Sequence, residues 1–127
     1  MGDKAGYAAT VKLLAGKSRP DGIFCFNDPV ALGTMRAIFD AGLRVPDDIA
    51  VVGCGNLSYS DFLRVPLSSV DQNSKMLGKI AAALALKLAQ GKTPARPKST
   101  LVAPELVVRA SSFRTNQKPE PERARPS

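Results

Sequence analysis

Two polar side chains, Asn27 and Asp28, interrupt the apolar pattern directly after Ile23-Phe24-Cys25-Phe26. An amide and a carboxyl group at that place can do one of two things. They stop a strand and cap the next helix, or they line a pocket where a polar ligand is recognised by hydrogen bonds. The sequence is poor in groups for anything more reactive. It contains no histidine, which removes the usual general base, the Ser-His triads and the His-rich metal sites together. The carboxylates Asp28, Asp47, Asp48 and Asp71 fall in separate loops without an evident nucleophile or base beside them. Such residues are mostly caps and solvated turns, so we expect a protein that is not an enzyme and uses neither cofactor nor metal. Cys25 and Cys54 sit in or at the end of apolar runs without paired metal spacing, which reads as two inert buried thiols.

Residues 4 to 15 carry apolar side chains at Tyr7, Ala8, Val11, Leu14 and Ala15. That spacing predicts a helix closed by Gly16. Ile23 to Phe26, bounded by Pro20-Asp21-Gly22 and Asn27-Asp28, predicts a parallel strand buried on both faces. Asp28 falls at an N-cap position with Pro29 at the first helical position, and the helix that follows should stop at Gly42, with Leu43 making the apolar contact beyond. Ile49 to Gly53 predicts the next strand, so this stretch is a βαβ unit with both strands ending on one rim. Ligands bind at that rim in open parallel sheets. An extended stretch from Leu67 to Asp71 leads to a helix over residues 74 to 90, capped by Asn73, with Leu77, Ile80, Ala81, Leu84 and Leu88 as its buried stripe. Leu101-Val102 and Leu106-Val107-Val108 predict a last strand or pair of strands, interrupted by Pro104. Residues 113 to 127 are polar and proline-containing and are expected to form a disordered tail.

The chain has 127 residues, 44% hydrophobic and 23% charged, which suits one globular domain. No apolar run approaches a membrane span, and no signal-peptide stretch follows Met1. The expectation is a soluble cytoplasmic chain with no membrane partner. The net charge of +7 has no Lys/Arg cluster or aromatic-interleaved patch behind it, so it reads as a solvated basic surface.

Asp21 to Gly33, continuing through Arg36-Ala37 and Ala41 to Gly53, resembles the effector-binding region of lactose/galactose-repressor family transcriptional regulators. Pro66 to Gln72, Gly78 and Glu105 to Ser111 match further segments in the same order. The resemblance implies an α/β fold with a mainly parallel sheet, a partial type I periplasmic-binding-protein-like arrangement in three α/β/α layers, over residues 1 to 112. It implies a module that senses a small polar effector such as a sugar and forms a homodimer. Neither the family's DNA-binding segment nor its first subdomain has a counterpart here, so operator DNA would be met only through a segment outside this chain. The alternatives are a free-standing protein that dimerises with a full-length repressor, or a non-functional gene fragment. The family likeness puts Asn27 and Gln72 on the ligand, with Asp28, Gly55 and Asn56 completing the candidate set. At Gly55 the family usually carries an aspartate, for which Asn56 is a neutral substitute. The apolar residues of the second helix, spread around most of its circumference, together with the following loop imply a dimer surface of Leu32, Met35, Phe39, Tyr59, Phe62 and Leu63. The stripe of the helix over 74 to 90 would then lack its family partner and is expected to fold onto its own sheet or exchange with a second chain.

Overall fold

The computed structural model describes residues 2–91 and 99–114. Four strands, β1 (Gly22–Phe24), β2 (Ala50–Cys54), β3 (Ser68–Asp71) and β4 (Glu105–Val107), form one sheet in the order β1-β2-β3-β4. The first three run parallel and β4 returns antiparallel to β3, giving the α/β class and mainly parallel sheet expected. Three helices, α1 (Asp3–Leu14), α2 (Asp28–Asp40) and α3 (Ser74–Ala89), and a short 3-10 turn (Ser58–Asp61) complete the described elements.

The core lies between α2 and one sheet face. Ala31, Met35 and Ile38 meet Cys25, Ile49, Val51 and Leu67, all buried. Alternation sends Phe24 and Phe26 to the other face, where they are 66% and 77% exposed. β1 is therefore covered on one face only, which corrects the expectation of double burial. The helical layer that a three-layer arrangement requires over that face is not among the described residues.

Helix α1 packs on α2 through Gly6 and Thr10, and of the stripe read from periodicity Tyr7 donates its hydroxyl to Asp40 of α2 at 3.0 Å and Leu14 packs against the core, whereas Val11 stays exposed. The reason is a close backbone crossing. A methyl group at Gly6 would sit 2.2 Å from the Val30 carbonyl oxygen, and one at Gly33 would sit 1.8 Å from that of Asp3. Only glycine permits such an approach. Thr10 and Thr34 then pair their hydroxyls at 3.1 Å within the contact.

At its end, α2 closes as its sequence predicts: Gly42 takes φ +74°, the Leu43 N–H reaches back to the Ile38 carbonyl at 3.1 Å, and Leu43 packs against the core. Arg44 and Asp48 fasten the turn into β2. The Asp48 carboxyl accepts from the Arg44 backbone N–H at 2.8 Å and from its guanidinium at 3.0 and 3.1 Å. The Val45-Pro46 peptide in this turn is cis.

Helix α3 overturns two expectations. None of its residues is buried, and Leu77, Leu84 and Leu88 are all more than 40% exposed, so the helix has not folded onto its own sheet. Asn73 stands at the N-cap but is left-handed (φ +54°) and makes no side-chain cap bond. Among the described residues after α3 only Glu105–Val107 is a strand, whereas Leu101 is exposed and outside any strand. Arg114 donates to the backbone carbonyls of Pro46, at 2.8 Å, and Asp21, so Phe113 and Arg114 belong to the ordered body. Pro94, Pro97 and residues 115 to 127 of the expected tail lie outside the described residues.

Candidate functional site

Parallel pairing of β1, β2 and β3 brings their C-terminal ends to one rim, with Phe24 beside Val52, Gly53 beside Ser69 and Cys54 beside Val70. The residues that follow each strand are the ones singled out by sequence: Asn27 after β1, Gly55 and Asn56 after β2, and Gln72 after β3. Their availability to a ligand differs.

Asn27, not Asp28, is the N-cap of α2. Its Oδ1 accepts the Val30 N–H at 2.9 Å, which leaves the Nδ2 group without a partner among the described residues. Asp28 lies inside the first turn and is wholly buried. Its Oδ2 accepts from the Leu57 N–H at 2.7 Å and the Ser60 hydroxyl at 3.2 Å, and its Oδ1 accepts from the Ser69 hydroxyl at 2.6 Å. The Asp28 side chain thus joins α2 to β3 and to the loop after β2. It builds the rim from beneath and offers no surface to a ligand, which corrects its place in the candidate set.

Gly53 is required by that carboxyl group, not by a turn. A methyl group there would lie 2.3 Å from Asp28 Oδ1. Gly55 is the residue with the positive backbone angle, φ +123°. The space beside it is open, with Asp28 and Leu57 no nearer than 3.9 Å to an added methyl. The aspartate typical of the resembled family would therefore find room but a strained backbone.

Asn56 is also left-handed, at φ +47°. Its N–H donates to the Ser69 hydroxyl at 3.0 Å, its Nδ2 to Asp71 Oδ2 at 3.0 Å, and its Oδ1 accepts from Arg109 Nη2 at 2.8 Å. Asp71 Oδ1 accepts the Asn73 N–H at 2.7 Å. The hydrogen bond from Asn56, then that from Asn73, holds the Asp71 carboxyl below its usual range. Arg109 also donates to the Leu67 carbonyl at 2.8 Å and to Asp61. Gln72 is exposed at the start of the segment leading to α3.

Sequence reasoning passed over Ser60, Ser69, Asp61 and Arg109 as site residues and set Asp71 aside as a solvated loop carboxyl. The available signal was two consecutive serines, Ser68 and Ser69, placed in a strand directly after Leu67, because buried hydroxyls need partners. The whole rim is built from hydrogen-bonding groups. Cys25, on the core side of β1, gives its thiol to Thr34 Oγ1 at 3.5 Å, and burial pushes its pKa up. Cys54 is half-buried and both thiols are free.

On the outer side of α2, the expected dimer residues separate. Leu32, Phe39 and Leu63 line a groove of about 290 Å³, across which the Arg64 guanidinium stands 5.6 Å from the Phe39 ring centre. Met35 forms the floor of this groove but is 3% exposed and belongs to the core, so it is corrected from surface to core. The second cover of α2 is largely α1. Tyr59 is half-buried, whereas Phe62 is 87% exposed.

A family model described as a periplasmic binding protein-like domain matches residues 2–112. The HTH-type transcriptional repressor PurR of Mannheimia succiniciproducens is 40% identical over 106 residues, covering 84% of this chain and 31% of that protein. The lactose operon repressor of Rhizobium radiobacter is 37% identical over 109 residues, 86% of this chain and 95% of that sequence. The crystal structure of the lac repressor dimer bound to operator and the anti-inducer ONPF superposes with a TM-score of 0.80 at 33% identity, over 87% of this chain and 38% of that one. The chain thus spans less than a third of the PurR repressor it matches.

Proposed function

The chain belongs to the lactose/galactose-repressor family of transcriptional regulators through its periplasmic binding protein-like domain, and on that premise we propose that it supplies one wall of a small-ligand site together with a dimerisation surface. The observation that carries this reading is the shared rim. The parallel register lines up Asn27, Asn56 and Gln72, each with amide capacity to spare, above a buried scaffold made by Asp28, Ser60 and Ser69. Amides serve as both donors and acceptors, which matches hydroxyl-rich ligands, and a sugar or related polar metabolite is the proposed effector class. Nothing in the reading calls for bond-making chemistry.

The dimer surface is the groove of Leu32, Phe39 and Leu63 with the exposed Phe62 beside it. In a regulator built this way, effector binding favours one conformation and the dimer carries the difference to the operator. Operator contact would fall to parts of the relatives that this chain does not match. The setting proposed is the bacterial cytoplasm, and no described helix is long and apolar enough to cross a membrane.

The test is titration calorimetry of the chain against sugars, nucleobases and sugar phosphates, repeated with Gln72→Ala. That residue is exposed, so its truncation leaves the fold alone. Saturable heat from one class, weakened in the variant, supports the reading. Absence of heat from all three classes overturns it.

A further inference from the structure

The side chain of Asn56 is held from both ends by groups of opposite character. Arg109 can only donate and faces Oδ1; Asp71 accepts and faces Nδ2. Turning the amide over would set Nδ2 against Arg109 Nη2 and Oδ1 against an Asp71 oxygen, replacing two hydrogen bonds by two repulsions. The orientation is thereby fixed by chemistry. Arg109 is itself immobilised: its side chain is 12% exposed, Nε donates to Asp61, and Nη1 donates to the Leu67 carbonyl at 2.8 Å.

We propose that Arg109 is a positioning residue of the effector site, fixing the Asn56 amide so that Nδ2 faces Asp71 and keeps one proton for a ligand. This inference rests on the reading of the rim as the effector site. It adds that a residue from β4's end of the chain, more than 50 positions away, sets the hydrogen-bonding character of that rim. The same clamp reaches α3, because Asp71 Oδ1 receives the Asn73 N–H at the helix entry. Asn56 therefore stands between the end of β2 and the segment that leads to α3.

The arrangement is tested without any ligand, by following the Asp71 carboxyl carbon through a pH titration by NMR on the full chain. Glu105 stands opposite Asp71 in the antiparallel register, and Arg109 lies beyond Asn56. In the wild type the midpoint lies below that of an ordinary aspartate. With Arg109→Gln the amide is freed to turn, and the midpoint rises. Arg109→Lys keeps the charge but loses the forked geometry, and its midpoint rises as well. Glu105→Gln leaves intact the difference between the wild-type and glutamine side chains at position 109. A midpoint unmoved in both Arg109 variants overturns the proposal, as does a rise confined to Arg109→Gln, which would assign the effect to charge alone. If the Arg109 variants do not fold, the wild type still decides. Asn56 side-chain protons that exchange with water as fast as those of a free amide overturn the proposal, and slowed exchange supports it. The underlying reading fails separately, through the calorimetric panel.

Discussion

Asp28 Oδ1 rests so close to the backbone of Gly53 that a single added methyl group would stand 2.3 Å from it. The carboxyl cannot retreat without losing the Ser69 hydroxyl at 2.6 Å. Gly53→Ala is therefore expected to destabilise by about 1–3 kcal/mol through overpacking, at the upper end of that range. Asp28→Ala strands the Leu57 N–H and two serine hydroxyls and should cost on the order of 3 kcal/mol. Urea denaturation with an unchanged slope checks both.

Asn27 offers a way to separate capping from recognition. Asn27→Ala removes the acceptor for the Val30 N–H and should cost about 1 kcal/mol. Asn27→Asp keeps an acceptor at the helix start, where a negative charge is favourable, and should fold as well as the wild type. It lacks the Nδ2 donor, so it is expected to lose affinity for whichever member of the calorimetric panel binds. Undiminished affinity in Asn27→Asp would remove Asn27 from the ligand contacts.

These two residues also show where sequence reading reaches its limit. Asparagine and aspartate cap helices equally well, so adjacent Asn27 and Asp28 could not be assigned by type. What separated them was a third element, the loop after β2, which brought Leu57 and Ser60 onto one of them. The rim itself was legible, because strand, helix and strand in close succession dictate a shared edge. So was the end of α2, where Gly42 has only one sensible role. The burial of α3 was not legible, since an apolar stripe says that a helix has a side to cover but not what stands opposite it. The packing face of α1 was legible only in part, at Tyr7 and Leu14, for a related reason. Periodicity weighs large apolar residues, whereas this contact was decided by how closely two backbones approach at Gly6 and Gly33.

Two glycines in helices should therefore respond in opposite directions to alanine. At Gly33 the new methyl group meets the Asp3 carbonyl oxygen at 1.8 Å, and α1 must move as a body. The gain of about 1 kcal/mol in helix propensity is outweighed, and Gly33→Ala should lower the melting temperature. At Gly78, in α3, nothing lies within 4 Å. Gly78→Ala should gain roughly 0.5–1 kcal/mol of helix stability, seen as a stronger far-UV helical signal.

Asp48 predicts a specific acid response. The Arg44 side chain, followed by its backbone N–H, draws the Asp48 carboxyl from 3.8 down to about 2. A carboxyl whose folded pKa is depressed contributes stability that is complete above the unfolded value and vanishes as pH falls to the folded one. That contribution should disappear between pH 3.8 and about 2. Asp48→Asn should flatten this part of the stability profile while leaving the neutral region parallel to the wild type. A profile unchanged in the variant would show that the Arg44 clamp carries no net weight.

The dimer surface yields the most direct test of assembly, because its residues differ in how deeply they serve the fold. Met35 is in the core, and altering it would confuse unfolding with dissociation. Phe62 is 87% exposed, so Phe62→Glu should change the stability of a single chain by no more than about 0.5 kcal/mol. Placed in an interface, the same substitution buries a charge beside the groove of Leu32, Phe39 and Leu63, where the cations at hand are Arg64 and Arg36, the latter already facing Asp40. Light scattering at micromolar concentration is expected to give twice the chain mass for the wild type and the single mass for Phe62→Glu, with identical circular dichroism. A wild-type chain that is already monomeric would count against the dimer itself, and a variant that remains dimeric would place the contact elsewhere. The bare sheet face around Phe24 and Phe26 is then the next surface to substitute.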